Sequence, residues 1–589
     1  MPRSHLVGAV VALTCGCVLE KNPDFDGPPP TSDSATTALE TTTTGQTATS
    51  TASTLTTTTA TTTSGATVSS DPTDPTLPVT TGDPCSEGDI QCADPATAIH
   101  CIGGMWVESP CEGTCEPGVG CPGCDPGSTT CVGEDLFVCD PQGFLQFVET
   151  CASEFGLACD PGFAACMGPC SPTELGMEAA HDLGCDFYAT ALTNAAVGAD
   201  FEVLVVGAPG TKVSSFVGDV QETAGTIPAD GALLVELIGA KPLGEGLKSA
   251  KVVGGAHRIR TDKPARVVQF NSLGAAASRD ATALLPTHRW TYLTTVASMG
   301  SKVGVLTRQG FFAVIARADG TKVVVTPPGN AKIAVSPVDG LGADGSGQLV
   351  LDAGDVVQVL ADGTSDPTGI VLSATEPIQV LGGHRCAELP NTGQIVDCDH
   401  LETTVLAPEY GGQLFILAPP IKDDGYTPRP YIARILAPES AFVTIQAGQV
   451  FKQVTIPKGE YYDVSTDAPT RITSDKPVMV AQYGTGLLIG QESMTWIPAQ
   501  NHLPTVVDLA MPPGNEKSAV TLAWLDAEPT LDGVPVGDYA YDNFTGISSI
   551  RLSLDNKRHS IKAGPNDRVS VVSEVVTPAW SLRTFHGLE

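Results

Sequence analysis

Positive charge is scarce in this 589-residue chain, in which 32 Lys and Arg residues stand against 66 Asp and Glu residues, giving a formal net charge of −34. A surface of that sign repels phosphate backbones and argues against nucleic-acid binding. Long apolar runs are also lacking, because no stretch reaches the roughly 18 apolar residues needed to span a bilayer. Neither a nucleic-acid-binding protein nor a multi-span membrane protein fits this composition.

Catalytic signatures are lacking as well. The sequence holds no Gly-x-Ser-x-Gly elbow, no His-Glu-x-x-His motif and no phosphate-binding glycine loop. The ten histidines are scattered, and His288 and His502 are predicted in turns or half-buried strands rather than in a catalytic triad. We predict that the chain is not an enzyme and that it needs no cofactor.

The first 17 residues have the composition of a secretory leader. Arg3 precedes a short apolar core over residues 6–13, and the segment closes on Cys17 after a glycine. It resembles a bacterial lipoprotein signal, which implies acylation at Cys17 and a lipid anchor as the only contact with the membrane. Val18 in place of aspartate favours the outer membrane or cell surface. An ordinary cleaved signal, which would give a secreted protein, is the alternative.

A threonine-rich segment follows. Residues 31–82 contain 23 threonines and no Lys or Arg. So few large apolar side chains cannot offset the entropy of ordering, and a disordered linker over residues 18–82 is predicted. It would serve as a tether, with or without O-glycosylation.

Cysteine is concentrated in the next region, residues 83–170. Two six-cysteine modules of about 40 residues stand in tandem, a size at which crosslinks usually replace a hydrophobic core. Eighteen cysteines in all also indicate export, because a reducing cytosol would not preserve disulfides. The pairing within each module stays open, since six cysteines allow 15 connectivities. The disulfide candidates of the modules are Cys85, Cys92, Cys101, Cys111, Cys115, Cys121, Cys124, Cys131, Cys139, Cys151, Cys159 and Cys166.

Four further cysteines lie outside the modules. Cys170 and Cys185 remain after the modules are counted and are candidates to pair with each other. Cys386 and Cys398 are predicted to close a short loop by a disulfide.

A metal site is the competing interpretation of that loop. His384, Cys386, Cys398 and His400 have a near-symmetric spacing that could hold zinc in a surface hydrolase. The nearby carboxylates Asp397, Asp399, Glu402 and Asp423-Asp424 lack the spacing of a calcium loop and are predicted to be solvated. No metal is therefore predicted.

The remaining chain, residues 171–589, repeats a short phrase. The copies centre on Pro264, Pro377 and Pro477, roughly 100 residues apart, and each stands between two apolar runs. The phrase is interpreted as a turn between two half-buried strands, with proline at the first residue of the second strand. Repetition at this distance predicts domain-sized units.

Two more markers accompany each phrase. The first marker is a segment that begins with an acidic residue and ends at a proline, as in residues 280–286, 399–408 and 492–498. The second is an apolar strand, as in residues 311–316, 431–436 and 519–524. Asp-Gly pairs at residues 319, 362 and 532 supply turns. The fold class predicted is all-β, with tandem β-sandwich-like repeats; a β-propeller is the alternative. The last unit keeps the strands but has lost the proline turn. Separately, Arg279 and Asp280, which precede the first marker's leucines, are interpreted as a local ion pair.

These markers resemble the N-terminal domain family of IgGFc-binding protein over about residues 185–585. The resemblance rests on the proline phrases and on residues 398–408 with 410–415. The leader, tether and cysteine modules resemble those of myxobacterial surface lipoproteins. The resemblance implies a non-catalytic recognition or adhesion module at the cell surface, with an extracellular protein or glycan as partner. A structural envelope or matrix protein is a further alternative.

Overall fold

A computed structural model describes most of the chain beyond residue 181 and parts of the cysteine-rich region. The chain divides into two units, Met1–Leu77 and Pro78–Glu589, and all described residues lie in the second. Several predicted features fall outside the described residues. They are the leader, Cys17, the tether, Cys85, Cys111, Cys121, Cys124, Cys170, Asp397 and Asp423-Asp424. The described ranges are 90–95, 97–102, 105–110, 115, 129–133, 135–139, 145–151, 158–160, 165–167, 182–195, 201–218, 220–240, 242–243, 248–271, 278–300, 308–328, 333–362, 364–389, 398–420, 427–486, 492–513, 517–576 and 581–588.

The cysteine-rich region forms small antiparallel sheets. The first module contains β1 (Ile90–Asp94), β2 (Thr97–Ile102) and β3 (Met105–Pro110), and the second contains β4 (Thr129–Val132), β5 (Asp135–Cys139) and β6 (Leu145–Thr150). A two-stranded sheet follows, of β7 (Ala158–Asp160) and β8 (Ala165–Met167).

Disulfide bonds tie both modules in the same way. Cys92 bonds to Cys115 and Cys131 bonds to Cys159, with Cα–Cα distances of 5.8 and 5.5 Å. In each module the second cysteine therefore pairs with the fifth. Cys139, Cys151 and Cys185 are also disulfide-bonded. The two modules therefore share this bond as well as a three-stranded antiparallel sheet.

Beyond residue 182 the described residues form four curled antiparallel units, numbered here from the N-terminus. Their strands pair within units. The described helical elements are three short 3₁₀ helices, Thr287–Arg289, Pro408–Tyr410 and Gln500–His502. Nowhere in the described ranges is there a helix long and apolar enough to cross a membrane. The fold is therefore all-β, as predicted, with sandwich-like curled sheets.

The first unit contains β9 (Gly184–Ala189), β10 (Phe201–Gly207), β11 (Lys212–Val217), β12 (Val220–Thr226), β13 (Ala232–Glu236), β15 (His257–Asn271) and β16 (Ala281–Ala283). The second contains β14 (Ala250–Val252), β17 (Thr291–Thr295), β18 (Gly310–Ala316), β19 (Thr321–Thr326), β20 (Gly347–Leu351), β21 (Val356–Leu360), β22 (Val371–Ala387) and β23 (Asp399–Thr404).

The third unit contains β24 (Gly412–Leu417), β25 (Tyr431–Leu436), β26 (Ala441–Ala447), β27 (Val450–Ile456), β28 (Tyr461–Thr466), β29 (Thr470–Gly484) and β30 (Ser493–Ile497). The fourth contains β31 (Val506–Leu509), β32 (Lys517–Trp524), β33 (Thr530–Leu531), β34 (Val534–Pro535), β35 (Ala540–Asp542), β36 (Ile547–Ser553), β37 (His559–Lys562), β38 (Ser570–Val576) and β39 (Ser581–His586).

The proline phrase is not a turn, and that prediction was wrong. Pro264, Pro377 and Pro477 lie inside the long strands β15, β22 and β29, each of 15 to 17 residues. The first half of each strand pairs with one set of neighbours and the second half with another. A long strand that changes partners at a bend curls its sheet into a sandwich-like corner, and the polar residues of the phrase lie at that corner because it is exposed.

The residue two positions before each proline has a shared role. Asp262 Oδ1 accepts the N–H of Lys212 at 2.7 Å, and Asp475 Oδ1 accepts that of Phe442 at 2.7 Å. Thr375 Oγ1 accepts the N–H of Lys322 at 3.0 Å. Each donor lies at or next to the start of a neighbouring strand. The phrase therefore fixes where two strands meet, which explains its polar residues.

The fourth unit differs where the sequence indicated. Its counterpart of the long strand is split into β37 and β38, with residues 563–569 between them. Asp532 and Gly533 have φ values of 52° and 80° and join β33 to β34, as the Asp-Gly pair predicts. Gly320 also has a positive φ, whereas Gly363 lies outside the described ranges.

The last strand of each unit faces a common centre. β16 contacts β23 and β39, and β30 contacts the same two strands, so that the four strands form a closed cycle. The cycle closes between units one and four, where Asp182 Oδ2 accepts the N–H of Gly587 at 2.9 Å and Arg266 Nη1 donates to the carbonyl of Asp508 at 3.1 Å. The repeats are thus arranged around one axis.

Candidate functional site

The His/Cys group predicted as a metal alternative is built around a disulfide. Cys386 is the last but one residue of β22 and Cys398 precedes β23, and the two are bonded with a Cα–Cα distance of 5.1 Å. Both sulfurs are therefore used in the covalent bond and are not thiolate ligands. His384 Nδ1 accepts the backbone N–H of Cys386 at 3.1 Å.

The two histidines of this group are deeply buried. Burial lowers the pKa of His384 and of His400 to about 3. His400 Nε2 lies 2.7 Å from Asn271 Nδ2 and 3.3 Å from Glu402 Oε2, and its ring stacks on Phe311. Across the described ranges, no three His, Cys, Asp or Glu side chains are placed to hold one metal ion. These imidazoles act as neutral partners in a polar core.

The strongest convergence of polar groups lies at the axis. The fully buried carboxylate of Asp280 accepts backbone N–H groups from all four units. The four donors are Ala281 at 3.0 Å, Glu402 at 3.1 Å, Met494 at 2.9 Å and Arg583 at 3.4 Å. Burial raises the pKa of Asp280, and the N–H groups of Glu402 and Met494 oppose that rise. One side chain therefore links the inner strands of the whole ring.

A ring of threonines lies one residue further along these strands. The N–H of Thr404 donates to Thr282 Oγ1 at 2.7 Å, that of Trp496 to Thr403 Oγ1 at 3.2 Å, and that of Ala283 to Thr584 Oγ1 at 2.8 Å. Thr282, Thr403 and Thr584, together with Thr495, line a cavity of about 30 Å³. Such a cavity has room for about one or two water molecules. The axis is thus a packed structural centre rather than a channel or a substrate site.

Other buried acids surround the axis. Burial raises the pKa of Asp399 and of Glu402, and for Asp399 the charge of Glu492 adds to the rise. Asp399 Oδ1 accepts the N–H of Arg279 at 2.9 Å. The prediction that Asp399 and Glu402 are solvated surface carboxylates was therefore wrong, because both side chains are 0% exposed.

An open cleft offers more room than the axis. It has a volume of about 680 Å³ and lies between the third and fourth units. Amide and carboxylate side chains share its walls with a short apolar strip, Leu414, Pro477 and Leu525. This volume is in the range of small-molecule sites. The polar lining consists of Glu409, Gln413, Gln500, Asn501, His502, Asp526, Asn566, Asp567 and Arg568.

Neighbouring groups position the polar side chains of the cleft. His502 ends the 3₁₀ helix Gln500–His502, which confirms a turn position, and its ring meets the edge of Tyr410. Asp567 Oδ2 accepts the N–H groups of Asp526 and Ala527 at 2.8 and 3.0 Å. These contacts hold the backbone at Asp526, which lines the cleft.

Sequence reasoning missed both centres. Asp280 was interpreted as the partner of Arg279 in a local ion pair. Its central role was missed because its backbone donors lie up to 303 residues away in the sequence. The threonine ring follows no fixed spacing, and the cleft combines residues from 409 to 568. The one available signal was the recurrence of the marker before a proline, which places an acidic residue, Asp280, Asp399 or Glu492, at the start of three of the four inner strands.

Comparison with known proteins assigns part of this chain to a family. The family model described as "IgGFc binding protein" matches residues 280–573. Over these residues the chain belongs to the IgGFc-binding protein family. The match begins at Asp280, the residue that links the four units.

Individual relatives are more distant. A human protein named "IgGFc-binding protein" is 24% identical over 272 residues, which cover 42% of this chain and 5% of that protein. The chain thus spans about a twentieth of that relative's length. Among solved structures, a GH78 family rhamnosidase of Bacillus sp. GL1 is 9% identical, covers 57% of this chain and 56% of its own, and has a TM-score of 0.12. A Ca²⁺-stabilised ice-binding adhesin of an Antarctic bacterium is 11% identical, covers 69% and 98%, and has a TM-score of 0.09.

Proposed function

We propose that the chain is a cell-surface lipoprotein that presents a rigid β-rich recognition module to an extracellular protein partner and catalyses no reaction. In this proposal residues 1–17 are a lipoprotein signal ending at the acylated Cys17 and residues 18–82 are a tether. Residues 83–170 form a crosslinked stem, and residues 171–589 are the recognition module. At a few ångströms per residue, the tether would hold the module on the order of 100 Å from the membrane.

The observation that carries the recognition role is the use of polar groups inside the ring. The carboxylate of Asp280 is occupied by four backbone N–H groups, and the imidazole of His384 accepts a backbone N–H. Groups held in this way stabilise a scaffold and are not presented to a substrate. The human relative is named for binding IgG Fc, which supports a protein partner for the module proposed here.

Extracellular placement is supported by covalent chemistry. The described part of the chain contains disulfides in both small modules and at the Cys386–Cys398 loop. Such bonds form and persist outside the reducing cytosol. A lipid anchor at Cys17 and an outer-membrane address are the finer parts of the proposal.

Binding is tested with the full chain purified in detergent and with IgG Fc as the probe. We expect saturable binding to immobilised Fc and none to Fab from the same antibody. Absence of saturable binding, together with concentration-dependent self-association, would support the structural envelope or matrix alternative. The anchor is tested separately with Cys17→Ala, which should release the protein from the membrane fraction into the medium. Unchanged membrane retention would contradict lipidation at Cys17.

The surface-hydrolase alternative has its own test. Thiol titration of the unfolded, unreduced protein should find Cys386 and Cys398 unreactive, and zinc content should stay below stoichiometric. Two reactive thiols at these positions with one bound zinc would support the hydrolase and overturn the proposal.

A further inference from the structure

We propose that the outer face of the third unit, together with the cleft beside it, binds a short neutral oligosaccharide. This inference rests on the proposed recognition function and specifies part of the surface that performs it. The surface is defined here as the sugar face and consists of the outward residues of β24, β29, β26 and β27 with the cleft between units three and four.

Strand alternation sets which residues lie on this face. Along β26, Ala441, Val443 and Ile445 are buried, so the alternate residues Phe442, Thr444 and Gln446 point outward. Their partners across the ladder on β27 are Thr455, Gln453 and Phe451. Directly paired residues share a face. The face thus presents hydroxyl and amide groups between two phenylalanine rings.

The two rings are exposed without a structural need. Phe442 is 44% exposed and Phe451 is 59% exposed, although the opposite side of the sheet supplies the core. At about 3.3 Å per residue they stand about 13 Å apart along the strand direction. An aromatic ring exposed in this way offers a flat apolar surface, and the C–H face of a sugar ring packs on such a surface. Two rings framing a polar strip suit an extended sugar chain better than a single apolar ligand.

The sugar face continues directly into the cleft. Leu414, which lines the cleft, pairs with Thr473, which pairs with Thr444, which pairs with Gln453. These four residues form one row across the sheet. A chain lying along this row would therefore reach from the edge strand into the 680 Å³ cleft.

A loop of the fourth unit borders the row. Gln446 Nε2 donates to the carbonyl of Phe544 at 3.3 Å, and Arg471 Nη1 donates to that of Thr545 at 3.4 Å. Phe544 is itself 41% exposed. This loop adds a third aromatic ring beside Gln446 and makes the surface specific to the junction of the two units.

The cleft supplies the hydrogen-bonding groups that hydroxyls need. Within the described ranges, the side chains of Glu409, Asp526 and Asn566 have no hydrogen-bond partner in the protein. Gln500 Oε1 is buried and also lacks a partner there. Carboxylate and amide oxygens accept from hydroxyl groups, and amide nitrogens donate to them. The apolar strip of Leu414, Pro477 and Leu525 matches the C–H surface of a sugar.

Charge restricts the class of oligosaccharide. Glu409 and Asp526 add negative charge to a chain whose formal net charge is −34. The cleft lining holds three carboxylates, Glu409, Asp526 and Asp567, against one guanidinium, that of Arg568. A sialylated or sulfated sugar would be repelled. The sugar face therefore selects a neutral chain.

The test is an array of neutral oligosaccharides of N-acetylglucosamine, mannose and galactose with their sialylated counterparts, probed with the full chain. We expect binding to a subset of the neutral sugars only. Phe451→Ala and Asp526→Ala should each weaken that binding about tenfold or more, whereas Phe451→Tyr should preserve it. The matched controls Tyr292→Ala, at an exposed aromatic of the second unit, and Asp339→Ala, at an exposed acid, should leave it unchanged.

The outcomes separate this inference from the proposed function. Binding to Fc without binding to any sugar would overturn the sugar face and leave protein recognition in place. Sugar binding unaffected by Phe451→Ala and Asp526→Ala would overturn the location, and preference for sialylated sugars would overturn the charge argument. Loss of Fc binding in Phe451→Ala, with no sugar bound by the parent chain, would make the face a protein-docking surface and overturn the inference. Absence of both Fc and sugar binding would overturn both proposals.

Discussion

The carboxylate of Asp280 in the first unit accepts the backbone N–H of Met494 in the third unit at 2.9 Å, across 214 residues of sequence. The same oxygen accepts the N–H of Glu402 in the second unit at 3.1 Å. A single buried side chain thus serves as a common acceptor for strands that approach from different directions. In the part of the chain that the structure describes, no backbone ladder joins the four inner strands to one another across the axis, so side-chain acceptors such as Asp280 connect them.

Asp280→Asn should destabilise the ring. The amide nitrogen of the introduced asparagine would face N–H donors and leave some of them unpaired. We therefore expect a loss of roughly 2–4 kcal/mol in the free energy of unfolding. Urea unfolding followed by tryptophan fluorescence measures this change. The matched control is Asp339→Asn, at an exposed acid, which should change the free energy of unfolding by less than about 0.5 kcal/mol. Equal stability of the two variants would contradict a central role for Asp280.

Acid should destabilise the protein through its buried histidines. The folded pKa of His384 is about 3, below the unfolded value of about 6.5, because burial disfavours the imidazolium. The unfolded chain therefore takes up the proton first, and the stabilisation present above pH 6.5 is lost as the pH falls toward 3. At pH 4 this amounts to about 3 kcal/mol for His384. Asn at this position can still offer an oxygen to the N–H of Cys386.

The measurement is the free energy of unfolding between pH 7 and pH 4 for the parent chain and His384→Asn. The variant should lose less stability over this interval than the parent. Identical pH slopes would show that His384 does not titrate differently in the folded and unfolded states. His559, a partly exposed histidine paired with Asp532 and Asp555, provides the control variant His559→Asn.

Removing the Cys386–Cys398 bond should weaken the fold without altering metal content. The double variant Cys386→Ser/Cys398→Ser frees the loop between β22 and β23 in the unfolded chain, and we expect a loss of about 3 kcal/mol. Thermal unfolding with and without reductant measures it, since the reduced parent should approach the double variant. A parent chain that loses zinc and stability together on chelation would contradict this expectation.

Arg434 holds the second and third units together. Its guanidinium pairs with Asp366 at 2.7 Å and with Asp463 at 2.8 Å, and it lies 3.8 Å from the ring centre of Tyr461. Arg434→Met would leave the Asp366 carboxylate without its cation, so we expect a loss of about 3 kcal/mol. Urea unfolding of this variant is compared with Lys458→Met, at an exposed lysine, which should behave as the parent. A loss below about 1 kcal/mol would show that the pair is not needed at this junction.

Several features could be predicted from the sequence because they depend on local pattern. The apolar runs near residues 311, 431 and 519 became β18, β25 and β32, and Asp532-Gly533 formed its tight turn. The proline phrase was recognised as a repeat but assigned the wrong conformation. Its polar residues indicated exposure, yet a strand that bends between two sheets is exposed at the bend just as a turn is, and sequence periodicity does not distinguish them.

The sequence by itself determined the all-β class, the repeat length, the cysteine modules and the family, because strand alternation, turn residues and cysteine spacing are local properties of the chain. Only the tertiary structure decided that four units share an axis, that Asp280 links them, that Asp399 and Glu402 are buried, and that Phe451 and Asp526 border one surface. Those relationships join residues tens to hundreds of positions apart. They arise from closure of the ring, in which each unit buries its inner strand against its neighbours.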